Sequence, residues 1–228
     1  MKVFSLLMLI VSVAAALMAA AVYPVLAEEP ASNVIEVRWV MAGLKKDADP
    51  SHLISIPPES TLRTGDKIKM YLMAVNPCFF YLFYHSPEGR LRLIYPDSLP
   101  SKALTSGTQL TVPQGDQWFE LDEQTGTERF HVLVSTTPLR SIETLYENYR
   151  QHASGNGPSA ARIIAVIERL RNQQRPLTSK AERPLSIGGT IRGAPDADTA
   201  TTESRLDHLA EDISTAEVFS RTYTIEHH

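Results

Sequence analysis

The chain has one cysteine in 228 residues, so it can form neither an internal disulfide nor a cysteine-built zinc site. It has no basic excess. Lys plus Arg number 22 against 26 Asp plus Glu, a net charge of −4, whereas nucleic-acid binders usually carry a strongly positive face. It has no Gly-x-Ser-x-Gly elbow, no His-Glu-x-x-His helix and no glycine-rich phosphate loop. What is present is 43% apolar and 21% charged, the balance of a chain that folds around a core. The expectation is a module without cofactor or metal that works by binding, not by bond-making.

The first 27 residues read as an export signal. Lys2 gives one positive charge, and Val3 to Val22 is apolar except for Ser5 and Ser12. Pro24 breaks the run, and Val25-Leu26-Ala27 places small or permissive residues before Glu28, which predicts cleavage after Ala27. The alternative is a retained anchor, since the run is long enough for a bilayer core of about 30 Å at about 1.5 Å per residue. The expected location is periplasmic or secreted, with membrane contact only through this segment if it is kept. In an oxidising compartment a free thiol is safest when buried, and Cys78 lies in the most apolar stretch beyond the signal, Asn76 to Tyr84.

Beyond the signal, period-two alternation dominates. It predicts strands at Val34–Val40, Lys67–Leu72, Phe79–Tyr84, Leu91–Tyr95, Gln109–Val112, Gln117–Leu121 and Phe130–Val134, with a hairpin turn at Pro87-Glu88-Gly89. Phe79–Tyr84 is apolar on both faces, as a covered central strand requires. Three stripes of helical period follow: Ile142, Leu145, Tyr146 and Tyr149 with Ser141 as N-cap; Ala160, Ile163, Ile164, Ile167 and Leu170; and Leu206, Leu209, Ala210 and Ile213. Residues 193–204 are small and polar and read as a flexible loop. Val218–Ile225 reads as a last strand, with Phe219, Tyr223 and Ile225 on one face. The expected fold is mainly β of the α+β class, a sandwich of antiparallel sheets with two or three packed helices. Residues 28–192 form the β-rich domain, and residues 205–228 rejoin it after the loop.

Several short motifs share one order. Gly65-Asp66 precedes the strand Ile68–Leu72, Cys78-Phe79-Phe80-Tyr81-Leu82-Phe83 forms an aromatic strand, and Leu91–Pro96 ends in Tyr-Pro. Val112–Phe119 and Gly126–Phe130 complete the series. Over residues 62–139 this order resembles a family of exported bacterial domains catalogued as a domain of unknown function, number 4384 of that series. The resemblance implies an envelope-located or secreted β-rich module, in some members beside other functional domains, with no assigned reaction. This chain departs from those fused arrangements in carrying no recognisable catalytic domain.

Candidate sites follow from residue type. Exposed aromatics on β-sandwiches serve as platforms for sugars or small ligands, and Trp118, Tyr71, Tyr81 and Tyr84 are the candidates. Arg162, Arg169, Arg171 and Arg175 form the one local basic cluster, a candidate contact for anionic headgroups or lipopolysaccharide, against the plainer reading of a solvated helix face. The histidines, His85 and His131 among them, are expected to face solvent. Asp47-Ala48-Asp49 and Asp196-Ala197-Asp198 lack the remainder of a calcium loop. The expected partner is an envelope protein or a polysaccharide, with carbohydrate or small-ligand binding as the alternative and a hydrolase as the least favoured reading.

Overall fold

The computed structural model describes residues 33–152, 159–173 and 201–228. The expected export signal, Arg175, Asp196-Ala197-Asp198 and residues 193–200 of the expected loop lie outside them. The elements run β1 (Val34–Leu44), β2 (Ile54–Ser55), β3 (Glu59–Leu62), β4 (Lys67–Ala74), β5 (Phe79–His85), β6 (Leu91–Tyr95), β7 (Gln109–Val112), β8 (Phe119–Glu120) and β9 (Gly126–Ser135). Then come α1 (Arg140–Gln151), α2 (Ala160–Gln173), α3 (Thr202–Leu209), β10 (Glu211–Ala216) and β11 (Val218–His227).

The strands form two sheets. The first is ordered β10-β1-β4-β7, with β2 also pairing β1 and β8 also pairing β4; the second is ordered β3-β11-β9-β5-β6. Alternation decides what lies between them. Ile35, Val37, Trp39 and Met41 of β1 and Ile68, Met70 and Leu72 of β4 meet Phe80 and Leu82 of β5 and Phe130, Val132 and Val134 of β9. Burying this many large apolar side chains, at about 1.5–3 kcal/mol each, is the main force holding the sheets together. Trp39 is in this core, and its indole Nε1 donates to the Tyr223 hydroxyl at 2.7 Å, so its one polar atom is satisfied. Cys78 is buried there too, and burial pushes its thiol pKa up to about 11.

The outer faces are also covered. Tyr81, Phe83 and Leu133 of the second sheet pack under Ile142 of α1 and Ile163 and Ile167 of α2. Val40, Ala42 and Tyr71 of the first sheet pack under Leu206 of α3. The molecule is therefore layered helix–sheet–sheet–helix, a mainly β sandwich of the α+β class.

Four local expectations are corrected. Ser141 lies inside α1, whose N-cap is Leu139. Residues 202–204 are the first turn of α3, capped by the Thr201 side chain accepting from the Ser204 amide, so the loop ends earlier than its composition indicates. Ile213 is on β10, not on the third helix. The sheets are not wholly antiparallel, because β3 runs parallel to β11.

Candidate binding cleft

The four predicted aromatics do not form one platform. Tyr71 is 1% exposed and Tyr81 is fully buried. The Tyr71 hydroxyl donates to Asp207 Oδ1 at 3.0 Å, and Arg38 Nη1 donates to the same oxygen at 2.5 Å. Burial first, and then Asp207, pushes the Tyr71 pKa up to about 12. Tyr81 donates to Glu143 Oε1 at 2.7 Å and accepts from the Leu139 amide at 3.0 Å, tying the start of α1 to β5. Trp118 is half-buried, and the Lys69 ammonium lies 5.4 Å from its ring centroid. Lys69 is itself buried and donates to the carbonyls of Gly115 and Gln117 at 2.5 and 2.6 Å. Three of the four aromatics thus help to hold the fold. Tyr84, half-buried and turned to the inter-sheet side, is the one that borders a cleft.

That cleft, about 170 Å3, opens where β4, β8, β5 and β9 converge at one end of the sandwich. Register explains its walls. Ile68 is paired with Phe119 across β4 and β8, and Tyr84 with Phe130 across β5 and β9. The Tyr84 and Phe130 rings are 5.1 Å apart. Arg92, Glu120, Asp122 and Gln124 stand at the mouth, and Glu128 also lines the cleft.

Glu128 shares the face of Phe130, Val132 and Val134, because residues two apart on a strand point the same way. It is buried. Its Oε1 is 3.1 Å from His227 Nδ1, and His227 Nε2 is 3.2 Å from Thr64 Oγ1. Tyr84 is also hydrogen-bonded to it. Burial raises the Glu128 pKa, while the imidazole and the phenol pull the other way.

The sequence reading did not anticipate this hydroxyl–imidazole–carboxylate line. Its elements are a turn after β3, the end of β11 and the start of β9. The Thr64 amide donates to the His228 carbonyl and the Gly65 amide to the Leu121 carbonyl, so the backbone donors of Thr64 and of the next residue are engaged within the protein. His227 has no exposed side-chain surface. The line fastens the end of β11 to β9 and to the turn before β4.

Two other histidines also depart from expectation. His131 is 2% exposed and His85 half-buried, with ring centroids 6.4 Å apart on the helix-covered face of the second sheet. His131 Nδ1 is 3.0 Å from Thr222 Oγ1, and its Nε2 has no hydrogen-bond partner among the described residues. Burial above all, helped by the neighbouring charges of His85, Arg129 and Arg171, pushes the His131 pKa down to about 4. The pattern puts His131 at a polar position of an alternating strand and His85 just after the apolar strand Phe79–Tyr84; the packed helices turn that face into interior. Arg162, Arg169 and Arg171 are exposed on α2. No group of three or more metal-ligating side chains occurs among the described residues.

Residues 61–138 match the family model described as Domain of unknown function (DUF4384). The match runs from β3 through β9 and contains every residue that lines the cleft, while His227 lies outside it. No curated protein and no solved structure matches the chain.

Proposed function

We propose that the chain is an exported, non-catalytic β-rich module, periplasmic or secreted, that acts by contact with an envelope partner. Export is supported by the apolar run Val3–Val22 and the cleavage pattern ending at Ala27. The observation that carries the contact reading is the aromatic cleft at the end of the sandwich. Its walls come from both sheets, so a rigid core holds it in shape, and recessed apolar sites with a few polar groups are where ligands and partner side chains usually bind. The engaged amides around Thr64 support a non-catalytic reading, since a hydroxyl nucleophile needs free donors aimed at the oxyanion it creates.

The test uses the exported chain in wild-type and Phe119→Arg forms, the variant filling the cleft. Intact mass of the exported protein should lack residues 1–27. Phe119→Arg should keep the wild-type circular dichroism and lose association with envelope material. Ester or glycoside hydrolysis that disappears in His227→Ala would overturn the non-catalytic reading.

A second surface is supported by Arg162, Arg169 and Arg171, whose exposed guanidinium groups suit anionic headgroups or lipopolysaccharide. Binding to anionic vesicles that falls when all three become Gln, and that vanishes at high salt, is the expected result for that surface.

A further inference from the structure

We infer that the cleft takes an organic cation, an ammonium or guanidinium group carried on a short apolar stem. This rests on the contact reading and names the chemistry of what enters.

Three features of the lining select a cation. The first is charge. Glu120, Asp122 and Glu128 outnumber the one guanidinium of the lining, Arg92, and although Lys67 lies 3.6 Å from Glu120, Asp122 and Glu128 leave the cleft favouring a cation over an anion. The second is the ring walls. Tyr84, Phe119 and Phe130 line the same cleft, and a cation over an aromatic face gains about 0.5–2 kcal/mol, more as water is excluded. The third is size. At about 170 Å3 the cleft falls below the roughly 300–1,000 Å3 typical of drug-sized ligands; it suits one side chain or one small amine better than an oligosaccharide.

The position of Glu128 gives the site its depth. His227 and Tyr84 hold the carboxyl in place from within the protein, so its orientation is set before a ligand arrives, which lowers the ordering cost of binding. An entering ammonium supplies the positive charge that burial otherwise denies this group. Arg92 opposes entry, so its removal should help binding, a result that a purely apolar groove would not give.

The same chemistry has two sources, a free amine or a lysine or arginine side chain of a partner protein. The experiment is a titration of the exported chain, followed by amide NMR shifts and calorimetry. The probes are n-butylammonium, n-butanol, butyrate and a blocked lysine-containing tetrapeptide. Saturable shifts at Phe119, Glu128 and Phe130 are expected with n-butylammonium and the peptide, with n-butanol and butyrate at least tenfold weaker. Glu128→Gln should weaken the cation by about tenfold, the effect of about 1.4 kcal/mol. Asp122→Asn, an exposed substitution that leaves the fold intact, should weaken it severalfold, and Arg92→Ala should strengthen it severalfold. A peptide much tighter than the amine identifies a partner side chain; equal affinities identify a free amine. Equal binding of n-butanol, preference for butyrate, or no saturable shift from either cation overturns the inference. If Phe119→Arg still abolishes envelope association in that event, the contact reading stands without it.

Discussion

His227 and Glu128 meet at 3.1 Å across 99 residues of sequence, joining the end of the last strand to the start of β9 beneath the cleft. Removing the imidazole leaves a buried carboxyl without its hydrogen-bond partner. His227→Ala should therefore lower stability by about 2–4 kcal/mol. Urea denaturation measures it, and a loss below about 0.5 kcal/mol would show that the pair does not hold this end of the sandwich.

His131 should give the folded chain a dependence on acid. The unfolded imidazole takes a proton near 6.5, and the folded one only near 4, so protonation favours unfolding. Its contribution is complete above pH 6.5 and is lost progressively as pH falls toward 4, by roughly 3 kcal/mol at most. Urea midpoints at pH 7 and pH 4.5 should separate widely for the wild type. They should separate less for His131→Gln, and equal separation would refute the assignment to this residue.

Gly65 has φ +89°, and an added Cβ would lie 2.6 Å from Lys46 Cδ. Gly65→Ala should cost about 1–2 kcal/mol. Truncating Lys46 to Ala removes the crowding and not the backbone strain, so in that background most of the loss should persist. Thermal denaturation of the four forms decides between the two causes.

The two tryptophans should respond differently to iodide. Trp39 is 1% exposed, while Trp118 is half-buried beneath a lysine ammonium. Quenching should reach part of the emission only, and Trp118→Phe should remove the quenchable part. Uniform quenching in the wild type would contradict the packing of Trp39 on Tyr223.

The aromatics show how far the sequence carries. Alternation places Phe130, Val132 and Val134 correctly in the inter-sheet core, and the apolar character of both faces of Phe79–Tyr84 marks a strand covered on two sides. The same pattern cannot tell an exposed tyrosine from one buried under a helix. That depends on α1 and α3 folding back over the outer faces, a tertiary event with no local signature. Tyr71 and Tyr81 were misread for this reason, and His131 with them. The cleft had one legible sign. Glu128 keeps step with Phe130 and Val132, a charged residue in an otherwise apolar row. Its partner His227 was not legible, since the contact spans nearly half the chain. Nor was the parallel pairing of β3, a four-residue strand with mostly polar side chains.

The position of β11 bears on how the molecule is made. It lies between β3 and β9, so the second sheet stays divided until residues 218–227 have been delivered. Until then β3 has no partner in its sheet and β9 keeps one edge open, while β9, β5 and β6 can pair among themselves. Pulse proteolysis of polypeptides released at successive lengths should find the protection of β3 and of the β9 edge arising as this final segment emerges, a late latch on the second sheet.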